Sequence, residues 1–246
     1  AVIAAGPRVV DSTMGPVTGS VSSFTVAFDR PVDPSTFTDL LGGAAPVFQA
    51  NFTSGTDGFT FDNSGPDAVA GSIDDGLWHR STGRGTNPGH SPNQSMYYGR
   101  NEGASGGGNF NTNPGAVGNS GFLISPAIDL TGVSGPLNLS FNYFLETEGG
   151  GFFDAAMVEV STNGSPFVSL ADNTFFGGLS DPTTGFESFN IDISAIAGST
   201  AIFRFSFNTG DGILNNFEGW YVDDVTIAPP PSPDDDVTLV ARDEFG

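Results

Sequence analysis

Hydrophobic and polar positions alternate with a period of two in one segment of this chain after another. In Leu137-Asn-Leu-Ser-Phe-Asn-Tyr-Phe-Leu145 the apolar residues fall at 137, 139, 141, 143 and 145, which on an extended strand places them on one face. Ala156, Val158 and Val160 alternate with Met157, Glu159 and Ser161, and Asn163-Gly164 follows as a dipeptide suited to a tight hairpin turn. Phe189, Ile191 and Ile193 repeat the pattern, as do Phe203, Phe205 and Phe207, and Tyr221–Ile227 closes the series. No stretch longer than twelve residues lacks both Gly and Pro, and each of these breaks a helix interior. The pattern predicts an all-β fold, an antiparallel β-sandwich of short strands joined by Gly-rich turns.

Composition shifts divide the chain into residues 1–46, 47–228 and 229–246. The first segment carries one clean strand, Phe24–Phe28, and too little else to bury a core alone. Residues 47–228 hold nearly all the alternating segments and form the main domain. Pro229-Pro-Pro-Ser-Pro233 reads as a stiff extended linker. Asp234-Asp-Asp236 and Val237–Val240 then read as the start of a further module, so more domains of the same polypeptide are expected.

Charge and cysteine content narrow the function. The 246 residues carry 28 acidic and 7 basic side chains, a formal charge of −21 with a pI near 4.1, and no Cys. A disulfide scaffold and a Cys nucleophile are excluded, and scattered Arg residues cannot build a phosphate-tracking groove, so no nucleic acid partner is expected. The longest wholly apolar run is the five residues Ala1–Ala5, which predicts no membrane insertion. Ala1–Val10 lacks the basic leader of a signal peptide, so the chain reads as a processed or excised piece. A Lys-free, acidic chain suits a salty exterior rich in Ca²⁺, and secretion or display at the cell surface is the expectation. Codon bias with a solvated acidic surface accounts for the same composition.

Several segments together resemble a known family. Gly219-Trp-Tyr-Val-Asp-Asp-Val-Thr-Ile227, preceded by Ile202-Phe-Arg-Phe-Ser-Phe207, resembles the closing strands of MAM-like jelly-roll domains of bacterial exported proteins. Such domains occur in the accessory carboxy-terminal region of immune inhibitor A-type metallopeptidases. Gly121–Leu130, Leu139-Ser-Phe-Asn-Tyr-Phe144 and Val158-Glu-Val-Ser-Thr-Asn-Gly164 resemble further strands of the family, in its order. Leu77-Trp78 and Tyr97-Tyr98-Gly99 sit where the family has a Trp strand and an aromatic strand. The likeness spans roughly residues 47–228. It implies a jelly-roll sandwich that recognises or spaces, with structural Ca²⁺ as cofactor. Val21–Thr38 resembles the early strands of a bacterial Ig-like repeat, which implies a partial, Ig-like amino-terminal segment.

Asp223 and Asp224 are adjacent on the last strand and should point to opposite faces, with Tyr221, Val225 and Ile227 sharing the face of Asp223. A carboxylate heading into a core is costly unless paired or metal-bound. The resemblance implies a Ca²⁺ ligand at Asp223 first and Asp224 second; a hydrogen-bonded carboxylate is the other reading. Glu146, Glu148 and Asp154 flank Gly149-Gly-Gly151, a loop chemically suited either to Ca²⁺ or to an ordinary acidic turn. Trp78-His79-Arg80 opens the segment to His90 that holds both histidines. Trp78, His79, Arg80, Tyr97 and Tyr98 are candidates for binding a glycan by stacking and hydrogen bonding. The alternative is that Trp78 is core and the Arg residues neutralise nearby carboxylates.

Enzyme motifs are missing from the inventory. His79 and His90 are too far apart for H-E-x-x-H, and no G-x-S-x-G elbow or Walker motif is present. Glu146 and Glu148 would share a strand face, but the glycines after them break the glycanase pattern of repeated carboxylates. The expectation is a non-catalytic, Ca²⁺-stabilised adhesion or substrate-attachment module whose partner is an extracellular glycan or surface protein. A carbohydrate-binding module attached to a secreted glycanase is the alternative.

Overall fold

The structure, a computed structural model, describes residues 9–12, 26–28, 45–64, 76–112 and 118–230. The chain divides into a unit from Ala44 to Pro230 and a second made of Ala1–Gly43 with Pro231–Gly246. In the second unit β1 (Val9–Ser12) pairs antiparallel with β2 (Val26–Phe28). The expected strand at 237–240 lies outside the described residues, as does most of the expected linker.

The Ala44–Pro230 unit is an antiparallel β-sandwich, as the alternation predicts. Its strands are β3 (Phe48–Ala50), β4 (Thr60–Asp62), β5 (Trp78–Ser81), β6 (Ser95–Tyr98), β7 (Ser120–Ile124), β8 (Ile128–Asp129), β9 (Asn138–Glu146), β10 (Ala155–Thr162), β11 (Val168–Asp172), β12 (Glu187–Asp192), β13 (Thr200–Asn208) and β14 (Gly219–Ala228). A single 3-10 turn, Ser194–Ile196, separates β12 from β13. One sheet has the order β11-β10-β13-β7-β4 with β8 beside β13; the other has β12-β9-β14-β6-β5 with β3 beside β14.

Period-two faces meet between the sheets. Val158, Val160, Phe203, Phe205 and Phe207 from one sheet pack with Leu139, Phe141, Leu145, Met96, Trp78 and Trp220 from the other. Phe141 meets Phe205 edge-on at 5.1 Å, and Tyr98 stacks on Phe207 at 4.4 Å. Fully burying each such ring contributes about 2–3 kcal/mol relative to leaving it in water. A second, smaller cluster of Tyr97, Phe144 and Tyr221, with Phe186 against it, covers the outer face of the second sheet.

The sandwich has two unlike ends. Val225 and Ile227 of β14 pair with Ala50 and Phe48 of β3, and Val47 N–H donates to Ile227 O at 2.7 Å. The unit's first and last strands therefore start and stop side by side at one end. Gly219 of β14 pairs with Glu146 at the finish of β9, and Asn208 at the finish of β13 pairs with Ala155 at the start of β10. Loops 147–154, 173–186 and 209–218 accordingly gather at the opposite end.

Candidate functional site

At the paired aspartates on β14 the alternation breaks. Asp223 lies opposite Asn142 and Thr226 opposite Ser140, so one extra residue is inserted between them, and Asp224 takes a φ of +52°. That is a β-bulge with its strained residue at an Asp, a residue type that tolerates the left-handed region better than most. The bulge reverses the face assignment beyond it. Trp220, Val222, Val225 and Ile227 all enter the inter-sheet core, whereas Tyr221 belongs to the outer cluster. The expectation that Val225 and Ile227 share the face of Asp223 is therefore corrected.

Asp223 is nevertheless fully buried. Its Oδ2 accepts from His90 Nδ1 at 2.8 Å and from Ser91 Oγ at 3.1 Å, and its Oδ1 accepts from Asp224 N–H at 2.8 Å. His90 Nε2 meets Arg84 O at 3.1 Å, so both ring nitrogens face acceptors. Phe186 stacks on that ring at 3.9 Å. Burial alone would lower the His90 pKa, but the bonds to Asp223 and Arg84 O and the charges of Asp223 and Asp224 hold it above the usual histidine value. Burial pushes Asp223 up to about 6, with His90 opposing the rise. Asp224 Oδ2 accepts from Ser91 N–H at 2.7 Å and Asn142 Nδ2 at 2.9 Å. Ca²⁺ takes about six to eight oxygen ligands; the groups gathered here are donors. The residues at 223–224 fit a hydrogen-bonded ion pair and do not fit a calcium site.

Of the two readings of the candidate glycan residues, burial supports the core one for Trp78. Trp78 is 2% exposed, and Tyr97 and Tyr98 are 0% exposed, so none offers a ring face to a ligand. Trp78 packs against Tyr98 and Trp220 in the core, and Tyr97 stacks on Tyr221 at 4.0 Å. Arg80 reaches two backbone carbonyls, Phe52 O at 2.7 Å and Thr53 O at 2.6 Å, rather than a carboxylate. His79 Nε2 meets Glu102 Oε1 at 2.9 Å, and Arg84 grips Glu218 through two bonds of 2.7 and 2.6 Å. His79 and Arg84 are thus each tied to a glutamate, and Arg80 to the backbone.

Glu146, Glu148 and Asp154 do not converge on the glycine loop. Glu146 Oε2 accepts from Glu218 N–H at 3.2 Å, while Glu148 contributes its N–H to Asp154 Oδ2 at 2.9 Å. Asp154 is fully buried, and its Oδ1 has no hydrogen-bond partner among the described residues. Burial pushes its carboxyl up to about 7; the bond from Glu148 N–H opposes this, and the charges of Glu148, Asp181 and Asp211 add to it. Among the described residues no three His, Cys, Asp or Glu side chains gather as a metal-binding group.

The accessible chemistry lies on the loops above Asp154. Phe152 is 86% exposed, Phe175 88% and Phe176 93%, with Phe153, Ile213 and Leu214 more than half exposed. These loops touch: a Cβ on Gly151 would meet Asn173 and Thr174, and one on Gly210 would lie 2.6 Å from Phe153 O. Gly210, with a φ of +61°, is the residue that permits this approach. Sequence reasoning passed over these side chains. Their signal was two Phe doublets, Gly-Phe152-Phe153-Asp and Thr-Phe175-Phe176-Gly, which sit beside glycines and outside the alternating strands.

The architecture defines a jelly-roll β-sandwich. No protein-family model matches the chain, and no curated protein matches it. Solved structures similar to it include a xylan-binding domain of carbohydrate-binding module family 22, at 11% identity and a TM-score of 0.41, covering 77% of this chain and 97% of that one. Another is the first family 27 carbohydrate-binding module of Caldicellulosiruptor saccharolyticus, solved with mannohexaose, at 16% identity and a TM-score of 0.43, covering 77% and 100%. Among the described residues no helix is long and apolar enough to cross a membrane.

Proposed function

We propose that the Ala44–Pro230 unit is a non-catalytic attachment module of a larger exported protein, and that it holds an extracellular glycan at its loop end. The observation that carries this reading is the exposed group of Phe152, Phe153, Phe175 and Phe176 on adjacent loops. Leaving a Phe side chain in water forgoes about 2–3 kcal/mol of burial, and contiguous exposed apolar patches mark interaction sites. Phe175 and Phe176 stand edge to face at 4.7 Å, a ridge onto which the CH faces of a sugar ring can stack.

Charge selects among occupants. Loops 147–154, 173–186 and 209–218 carry Glu148, Asp154, Asp181, Asp211 and Glu218 and contain no Lys or Arg. An anionic lipid surface or a second copy at −21 is repelled there. An uncharged polysaccharide is not, and carboxylates at the edge accept hydrogen bonds from its hydroxyls. Affinity electrophoresis through neutral polysaccharides and through polygalacturonate tests the reading. The full chain is expected to be retarded by a neutral polysaccharide, not by the acidic one, and to release no reducing ends. Retardation is expected to disappear in a Phe175→Ser, Phe176→Ser variant whose circular dichroism is unchanged. Failure to bind any neutral polysaccharide overturns the glycan reading, and release of reducing ends overturns the non-catalytic one.

A further inference from the structure

Beneath the exposed rings, the loop end holds acceptors without donors. Asp154 Oδ1, Asn215 Oδ1 and Asn111 Oδ1 are each buried and without a hydrogen-bond partner among the described residues. Asp154 is 0% and Asn215 1% exposed. Buried acceptors are nearly always paired, because stripping water from an oxygen without replacing its donor is costly.

These residues belong to segments that are stitched together. The ladder that pairs Ala155 with Asn208 and Asn208 with Ser120 leads, one residue further, to Asp154, Thr209 and Asn119, all buried. Asn119 N–H donates to Thr209 Oγ1 at 2.9 Å, and Thr209 Oγ1 donates to Asp211 O at 2.8 Å. Asn215 Nδ2 donates to the same Asp211 O at 3.1 Å, which fixes its amide with the oxygen turned away from that bond. Asn111 Nδ2 donates to Asn216 Oδ1 at 3.2 Å and so ties the 110–112 segment to the Asn215 loop.

We propose that the loop end of the sandwich binds one Ca²⁺ ion through Asp154 Oδ1 and Asn215 Oδ1, with Asn111 Oδ1 as the third side-chain oxygen. A cation answers these atoms, because they are acceptors and one of them belongs to a carboxyl group. The charges of Glu148, Asp181 and Asp211 act on Asp154 and add to the negative field. The donor set is oxygen only, which suits a hard cation and disfavours zinc or copper. Mg²⁺ demands a tighter octahedron and keeps its waters, so buried amide oxygens suit Ca²⁺ better. With a single full carboxylate in the set, the affinity belongs to the weak class of extracellular modules. The ion would tie the loop bearing Ile213 and Leu214 to the residue that follows Phe152 and Phe153. The proposal does not depend on which ligand those side chains hold.

The test is calorimetric titration of the metal-stripped full chain with CaCl₂, alongside melting in EDTA and in calcium. One bound ion is expected, with Kd about 10⁻⁴–10⁻³ M. The melting temperature is expected to rise by roughly 3–5 °C at ~10 times Kd. Asp154→Asn is expected to weaken binding at least ~10-fold, and Asn215→Asp, which adds a carboxylate at constant shape, to tighten it ~10-fold. Asp224→Asn, on the other sheet face, is expected to leave Kd unchanged. Absence of any calcium heat or melting shift overturns the proposal. So does a Kd indifferent to both Asp154→Asn and Asn215→Asp. Should Asp154→Asn fail to fold, the Asn215→Asp result decides.

Discussion

Asp223 and Asp154 are both fully buried carboxylates in one sandwich, and their surroundings are opposite. Asp223 is met by the His90 ring, the Ser91 hydroxyl and a backbone N–H. Asp154 has one N–H on one oxygen and nothing on the other, with further carboxylates around it. Burial by itself therefore does not identify a metal ligand. What separates the two is whether the fold has already supplied the positive partner: at Asp223 it has, and at Asp154 it has not.

Removing one partner of the satisfied pair has the largest expected effect. Asp223→Ala leaves His90 buried and unpaired and is expected to destabilise the unit by about 3–5 kcal/mol in chemical denaturation. A His90→Ala, Asp223→Ala double variant should recover part of that loss, and strict additivity would contradict a direct pair.

A smaller effect follows from pH. Asp223 is raised from 3.8 to about 6, and His90 is raised as well, so the folded pair retains protons that the unfolded chain releases. A raised group stabilises below its unfolded value and loses that contribution as pH climbs through the folded one. The Asp223 share, on the order of 3 kcal/mol, is lost between about pH 4 and about pH 6, and the His90 share above the ordinary histidine value. Glu102, Asp62, Asp129 and Asp192 are lowered, so their contribution is lost only on the acid side of the ordinary carboxylate range. Stability relative to the Asp223→Asn variant is expected to decline from about pH 4 to about pH 6 and to fall further above the ordinary histidine value. A difference that grows over that range would contradict the assignment.

The smallest effect has the opposite sign. In EDTA, Asp154→Asn replaces an unanswered carboxyl group by an amide and is expected to raise stability by about 1 kcal/mol, whereas the matching change at Asp223 lowers it. Equal losses at both positions would erase the distinction between the two sites.

The alternation in the sequence was enough to read β9, β10, β12, β13 and β14, because period two is a local property of each strand. The face of Asp223 was not legible in the same way. It depends on a bulge between residues 223 and 226 that only the register with β9 reveals. Composition and motif placed Trp78, Tyr97 and Tyr98 correctly on strands, yet their burial is decided by partners such as Trp220 and Tyr221, far away in the chain. Asp154 stood among the candidate ligands, but Asn111 and Asn215 did not. An Asn among many Asn residues carries no mark until the fold shows which amide oxygens have been left without a donor.

The neighbouring positions of β3 and β14 have a practical consequence. Residues 47 and 227 are joined by a single backbone hydrogen bond, so the unit spans a gap of only ~5 Å, the spacing of adjacent strands. Its excision could be bridged by a short turn of a few residues, and its transplantation into the surface loop of an unrelated scaffold would demand almost no separation between the cut ends. The sandwich is built as a portable insert, its chain ends together at the base and its aromatic rings at the tip.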